Sequence, residues 1–377
     1  LSLGNDAITL NKAQVRIGSS DLMVTGRISN LKNVFFDKAT LYGKMSVYSD
    51  FINCNELMKA LEMEQEAEVA KVSEKEHANK ESVGVEKDTS DSQSKLFIVP
   101  DGIDFTLDVD VKKVLFATME LENIKGEMVI RNQSIELADL NLHTMAADMN
   151  TTLVYSTQDS TSAYTGFDLR MKDIQVGKLV EFIPALDSLV PMLRSIDGRV
   201  NFQIAAEAKL DSTMSIDIPS IQAAARLKGD SLVLMDGETF SEISKMLRFK
   251  NKDRNVIDSV SVDLIVRNGQ IEIYPFLIGM DRYLAAVGGK HNIDMTFNYH
   301  VSLLKSPIPF NIGVDISGNM DDFKYKITKA KYKDMKKSVR KSPVDSAGVS
   351  VRSRIKEVLH EQAKSVQLKR TAPKVDL

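Results

Sequence analysis

Apolar and polar residues alternate along most of this chain of 377 residues, with the two-residue period of half-buried β-strands. The run Val260, Val262, Leu264 and Val266 is one of many examples between residues 96 and 330. Such segments have one apolar and one polar face, which is typical of antiparallel sheets, whereas strands of a central parallel sheet are apolar on both faces. The pattern predicts a β-dominated fold, all-β or α+β, built on a long twisted antiparallel sheet of repeated hairpins.

One hairpin unit occurs twice in the chain, at residues 128–142 and again at 264–278. Arg-Asn and Ile-Glu pairs recur at matched positions of the two copies, and apolar residues keep their places around them. In the second copy, Asn268 and Gly269 supply the positive backbone φ angles that a type I′ turn requires. A repeated sheet-building unit favours an extended surface over a catalytic centre.

Helical spacing interrupts the alternation in a few places. Near 176–195 apolar residues fall three and four positions apart, which predicts a helix that Pro184 and Pro191 kink or split. A second short helix is predicted near 239–248. In the N-terminal block, Asp50 is predicted to cap another short helix.

Composition divides the chain into four parts. Residues 1–61 form an N-terminal β block with its short helix, and 96–330 form the main β domain. Residues 62–95 contain ten acidic and five basic residues and no aromatic residue, Ile or Leu, which predicts a disordered acidic linker. Residues 331–377 form a basic tail, since 14 Lys and Arg face 5 Asp and Glu from position 329 onward.

The sequence offers little that is typical of an enzyme or a metal protein. It contains no glycine-rich phosphate loop, no G-x-S-x-G and no H-E-x-x-H motif, and Cys54 is its only cysteine. The five histidines lack ligand spacing and are predicted to be ordinary surface residues. Asp104, Asp108 and Asp110 share one strand face that could hold a hard cation, but a solvated strand face is the favoured interpretation. We expect no catalytic residue, no metal and no cofactor.

The order of elements from about 170 to 330 carries a family resemblance. A proline-bearing helix is followed by IDGRVNFQIAAEAKLDS, a short helix, VDLIVRNGQIEIYPFLIGMDRYLAAVGG and NIDMTFNYHVSLLKSPIPFNIGVDISG. This series resembles the C-terminal region of the AsmA family of bacterial envelope proteins, with a fainter likeness over 1–60 and 96–160. The acidic linker and the basic tail do not map to the family.

The resemblance implies a fold, a location and a role. AsmA-like proteins belong to the Gram-negative envelope, where an N-terminal helix holds them in the inner membrane and the rest lies in the periplasm. In this chain the anchor would lie upstream of the first residue. The implied role is outer-membrane biogenesis, with a long curved sheet conducting phospholipids along an apolar groove. The alternative is an envelope scaffold or chaperone that binds outer-membrane proteins through exposed sheet edges.

The strongest candidate for a lipid-facing strand is predicted at about 292–303. Alternation places one set of apolar side chains on a single face. The predicted lipid-facing residues are Ile293, Met295, Phe297, Tyr299 and Val301. The same residues could instead form a closed protein core. With no Trp and 17 Met, an apolar groove in this protein would have adaptable, mostly aliphatic walls. Each acyl methylene buried there would contribute about 0.8 kcal/mol to lipid binding without any specific polar contact.

The basic tail has two interpretations. Apolar residues such as Ile355 lie beside Arg352 and Arg354 on a predicted amphipathic helix, which would suit a surface of anionic lipid. The alternative is a solvated, mostly disordered terminus. Nucleic-acid binding is disfavoured, because the tail is poor in aromatic residues and the rest of the chain is acidic.

Overall fold

A computed structural model describes most of the chain, in two compact units. Unit 1 comprises Leu1–Leu142, Val154–Thr165 and Lys209–Ile216, and unit 2 comprises His143–Leu153, Gly166–Ala208 and Asp217–Leu377. The residues outside the description are 61–95, 184–192, 235–254, 307–311, 337–343 and 356–377, together with 1, 5, 38, 58, 117–118, 145–146, 158–160, 195, 281–282, 293, 295 and 320–321.

Strands make up 71% of the structure and belong to one long mixed sheet, which confirms the β-dominated fold class. The first half of the chain forms β1 Ser2–Leu3, β2 Ala7–Ile17, β3 Ser20–Ser29, α1 Leu31–Asp37, β4 Leu41–Ser49, β5 Ile52–Asn53, α2 54–57, β6 Ile103–Phe116, β7 Met119–Arg131, β8 Ser134–His143, β9 Asp148–Thr157 and β10 Ala163–Gln175.

The second half continues in the same manner, and nineteen strands in all lie in the described residues. Its elements are α3 Val176–Phe182, β11 Ile196–Asp197, β12 Arg199–Leu210, β13 Ile216–Leu234, β14 Asn255–Arg267, β15 Gln270–Met280, β16 Tyr283–Asn292, β17 Phe297–Lys305, β18 Ile312–Gly318, β19 Phe323–Lys329, a 3₁₀ turn Lys333–Lys336 and α4 344–355.

Most neighbouring strands pair antiparallel, but the prediction of a wholly antiparallel sheet is wrong at one place. Strand β4 pairs parallel with β6, with Leu41 opposite Ile103 and Ser49 opposite Val111, and β5 also pairs parallel with β6. A tight turn can join only antiparallel strands, whereas the long stretch between residues 54 and 102 lets the chain return to the same end of the sheet.

The predicted helices are only partly matched. The helix near 176–195 is described as α3 alone, where Val176 and Leu179 are buried, and the rest of it lies largely outside the described residues. The helix near 239–248 and the acidic linker 62–95 lie wholly outside them. Asp50 is not a helix cap: α2 begins later, and the Asn53 side chain accepts bonds from the backbone N–H groups of Asn55 and Glu56.

Part of the basic tail is a helix packed on the sheet. In α4 the side chains of Val344, Val351 and Ile355 are each at most 5% exposed. Val344 packs on Ala224 and Ile265 of the sheet. Neither predicted interpretation, a helix on lipid or a solvated terminus, describes residues 344–355.

Both copies of the hairpin unit turn at the same point. Strands β7 and β14 end at Arg131 and Arg267, and the two central turn residues have positive φ in each copy. The angles are 51° and 58° at Asn132 and Gln133, and 51° and 68° at Asn268 and Gly269. These values confirm the predicted type I′ turn, with Gln133 standing where the second copy has glycine.

Substitutions at the second central turn residue of the two copies should change stability in opposite directions. Gly269→Val places a β-branched residue at positive φ and should lower the free energy of unfolding by about 1 kcal/mol or more. Gln133→Gly relieves the same strain in the first copy and should be neutral or stabilising by a few tenths of a kcal/mol. Denaturant unfolding measures both variants, and an unchanged midpoint for Gly269→Val would contradict the assigned turn.

Candidate apolar lipid-binding face

The strand register of unit 2 divides the sheet into two faces, because paired residues of neighbouring strands point to the same side. One line of paired residues runs through Ile273, Gly289, Tyr299, Ile316 and Tyr325, from β15 to β19. We call the side on which this line lies the apolar face. The opposite side carries α4, and we call it the covered face.

A cluster of aliphatic and aromatic side chains lines the apolar face. Its buried members are Ala206, Ala223, Val266, Ile271 and Ile273, and its half-buried members are Phe167, Ile204, Ile221, Val262, Leu264, Phe276 and Tyr299. The cluster contains residues from β10, β12, β13, β14, β15 and β17. Seven of its twelve side chains keep partial exposure to solvent, so the cluster is a surface as well as a core.

Local irregularities shape this surface. The register shifts between Ile273 and Phe276, so that a bulge keeps both side chains on the apolar face. The Tyr299 ring lies against Gly289, where an added Cβ would be 2.5 Å from ring atom Cδ1. Glycine at this position therefore leaves room for the tyrosine ring next to the backbone of β16.

The structure places the predicted lipid-facing residues in two groups. Phe297, Tyr299 and Val301 lie on β17 with half-buried side chains on the apolar face. Ile293 and Met295 lie outside the described residues, between the end of β16 and the start of β17.

The predicted strand 292–303 is therefore wrong at its beginning. The Asn292 backbone N–H donates to the Thr296 carbonyl at 2.8 Å, and the Asp294 carboxylate accepts from the Thr296 backbone N–H at 2.9 Å. These local bonds give the backbone a turn in place of strand pairing, as short Asp and Thr side chains often do. Alternation alone did not reveal that turn.

Two polar groups interrupt the apolar face at one point. His291, opposite Ile271 in the register, is 3% exposed, and its Nδ1 lies 3.4 Å from the Tyr299 hydroxyl. Its Nε2 is buried and has no hydrogen-bond partner in the described part of the chain. Burial lowers the pKa of the His291 imidazole and raises the pKa of Tyr299 to about 12. The prediction of surface histidines is wrong for His291.

The buried imidazole makes stability depend on pH. Burial lowers the folded-state pKa below the ordinary 6.5, although the Asp294 carboxylate opposes the shift. The unfolded chain therefore takes up a proton near pH 6.5 while the folded protein resists it, so stability is complete above that pH and falls below it. We expect a loss of at most about 1.4 kcal/mol per pH unit from this one group.

His291→Phe should remove this acid sensitivity. Denaturant unfolding between about pH 7.5 and 5.5 should show a smaller loss for His291→Phe than for the wild type. His143→Gln is the control for an exposed histidine, because His143 is 52% exposed and its ion-pair partner Asp148 is 76% exposed. An ion pair this exposed contributes little to stability, so the variant should lose stability in acid as the wild type does. Identical pH profiles for wild type and His291→Phe would show that His291 does not resist protonation.

Charged pairs attach α4 to the covered face. The Arg352 guanidinium donates to both carboxylate oxygens of Asp168, at 2.9 and 3.1 Å. Arg354 donates to Glu207, and to the Gln222 side chain at 3.0 Å. The two arginines predicted to face lipid headgroups are thus engaged with the sheet.

A histidine on the covered face holds the segment that follows β19. His300 Nδ1 lies 2.5 Å from Asp315, and its Nε2 lies 2.9 Å from the Ser302 hydroxyl. Such a set occurs in hydrolases, but here Ser302 is fully buried, and the backbone N–H groups of Lys331 and Tyr332 donate to His300 Nε2 and to Ser302. The contacts fasten residues 331–332 to the sheet. His300, at 3% exposure, is a second exception to the predicted surface histidines.

Two of the three candidate aspartates of β6 form ion pairs, and the third, Asp108, is exposed. Asp104 pairs with Arg131 and Asp110 with Lys125. Within the described residues no group of three or more His, Cys, Asp or Glu side chains could hold a metal ion.

Comparisons with known proteins do not place this chain in a family. The chain matches no protein-family model, no curated protein and no solved structure. Across the part of the chain that the structure describes, no helix is both long and apolar enough to span a bilayer.

Proposed function

We propose that this protein binds the acyl chains of phospholipids on the apolar face of unit 2 and handles lipid without chemical catalysis. The observation that carries the proposal is the half-buried state of the aliphatic cluster. A closed protein core would bury these side chains fully, whereas a surface that receives acyl chains must leave them accessible when empty.

The dimensions of the face support this ligand. The cluster extends from β10 to β17 across seven neighbouring strands, β10, β12, β13, β14, β15, β16 and β17. At about 4.8 Å between strands, the face is roughly 30 Å wide. An acyl chain spans half of a hydrocarbon core of about 30 Å, so its whole length fits on the face. Each methylene that leaves water would contribute about 0.8 kcal/mol.

The location and biological role in the proposal come from the resemblance to the AsmA family. On this basis the protein would act in the periplasm in support of outer-membrane biogenesis, attached to the inner membrane through a segment upstream of this chain. The second candidate is an envelope scaffold that pairs strands with outer-membrane proteins. The exposed edge strand β19 favours that candidate, because exposed edges accept additional strands.

Photo-cross-linking in living cells tests the lipid proposal strand by strand. A photoreactive side chain placed singly at 297, 299 or 301 should capture phospholipid, because these positions lie on the apolar face. Position 298 is the matched control, since Asn298 is exposed on the opposite side of the same strand. Lipid adducts at both sets, or protein adducts alone at 297, 299 and 301, would contradict the proposal and favour the scaffold.

A further inference from the structure

The last strand of the sheet exposes a row of large apolar side chains. On β19, Phe323 is 45% exposed, Tyr325 65% and Ile327 71%. Because they alternate along one strand, all three point to the same side. The strand pairs with β18 along one edge only, among the described residues.

This row continues the apolar face to the edge of the sheet. Tyr325 is paired with Ile316, which is paired with Tyr299 of the cluster. Ile327 is paired in the same way with Val314, and Val314 with Val301. An acyl chain leaving the cluster along these lines would meet apolar side chains until it passed β19.

Strand β19 and the segment that follows it are rich in lysine. Residues 323–336 contain six lysines and one acidic residue. Lys324, Lys326 and Lys329 are exposed, and within the described part of the chain none of them forms an ion pair. Lys331 is the exception, since its ammonium group lies 2.7 Å from Asp315.

We infer that the β19 edge docks on the surface of an anionic phospholipid bilayer. Side chains that combine an apolar body with a polar tip, such as tyrosine, reside well at the level of lipid headgroups. Lys329 points to the same side as this row, and Lys324 and Lys326 point to the other side of the same edge, from which their long side chains can reach lipid phosphates. The row of Phe323, Tyr325 and Ile327 would enter the interface while the free edge of the backbone stays among hydrated headgroups. This inference rests on the proposed function only in taking the bilayer as source or destination of the lipid.

Charge argues against a second copy of the chain as the occupant. Two β19 edges paired antiparallel would bring lysines of one copy against lysines of the other, and like charges placed opposite each other destabilise a sheet. A strand of another protein would meet the same lysines, so it could pair with β19 only if it placed acidic side chains opposite them. Each of these lysines would instead be attracted to an anionic lipid surface.

Vesicle flotation of the full chain tests the docking. The wild type should float with vesicles of phosphatidylcholine mixed with phosphatidylglycerol, and bind those of phosphatidylcholine alone at least about tenfold less. Lys324→Glu with Lys326→Glu should remove most of this preference. Phe323→Thr with Tyr325→Thr and Ile327→Thr should lower binding about tenfold or more, and high salt should weaken wild-type binding.

Controls separate docking from folding and from lipid carriage. Ile216→Thr with Ile218→Thr changes two side chains that are 53% and 45% exposed elsewhere, and should bind vesicles like the wild type. Leu264→Glu, in the apolar face, should lose carried lipid but keep vesicle binding. Wild-type flotation by the β19 variants would overturn the docking and leave the lipid face untouched. If the β19 variants instead lost the ability to dimerise, or to bind a protein that pairs with the strand, the edge would be assigned to that partner.

Discussion

Arg226→Ala should be among the most destabilising single changes in unit 2, lowering the free energy of unfolding by about 3 kcal/mol. The Arg226 guanidinium donates to both carboxylate oxygens of Asp263, at 2.6 and 3.1 Å, and contacts Asp345 of α4 at 2.9 Å. The side chains of Arg226 and Asp263 are only 15% and 17% exposed. Removing the arginine leaves a carboxylate that is largely removed from water without its counter-charge.

Two comparison variants identify the cause of this loss. Arg226→Met with Asp263→Leu removes both charges and should recover most of the stability, since Asp345 is 63% exposed and stays hydrated. Arg170→Ala removes an arginine that is 55% exposed and leaves Asp168 paired with Arg352, so it should cost less than about 1 kcal/mol. Chemical denaturation measures all three. An Arg226→Ala midpoint equal to the wild type would show that Asp263 is solvated and that the pair does not hold α4.

Local patterns allowed part of this structure to be predicted from the sequence. The turn at Asn268 and Gly269 could be predicted, because two adjacent residues determine a type I′ turn. The β-dominated fold followed from the period of alternation. The faces of Phe297, Tyr299 and Val301 followed from the same period once the strand was placed.

Features that depend on distant residues could not be predicted in this way. The tail helix α4 appears basic in sequence, and the carboxylates that bind its arginines, Asp168 and Glu207, lie more than a hundred residues earlier. His291 is buried because the register places it between Ile271 and Phe297, which the residues next to it in sequence do not show. The parallel pairing of β4 with β6 likewise depends on the connection between the two strands and not on the sequence of either strand. Alternation shows that a strand has two faces but not what covers each one.

A carboxylate placed in the apolar face should abolish lipid binding while leaving the fold intact. Leu264 is half-buried in the cluster, so a glutamate there can remain hydrated in the empty protein. A bound acyl chain would remove that water from the charge, and the cost of several kcal/mol exceeds the contribution of several methylenes. Leu264→Glu should therefore reduce bound lipid at least about tenfold. Ser261→Glu is the matched control, because Ser261 is exposed on the opposite side of the same strand.

Mass spectrometry of lipid extracted from natively purified protein tests the apolar face most directly. The wild type and Ser261→Glu should each carry phospholipid, and Leu264→Glu should carry little, with all three proteins unfolding at similar denaturant concentrations. Wild-type protein that is free of phospholipid, or equal lipid on Leu264→Glu and wild type, would contradict the assignment of this face to acyl chains.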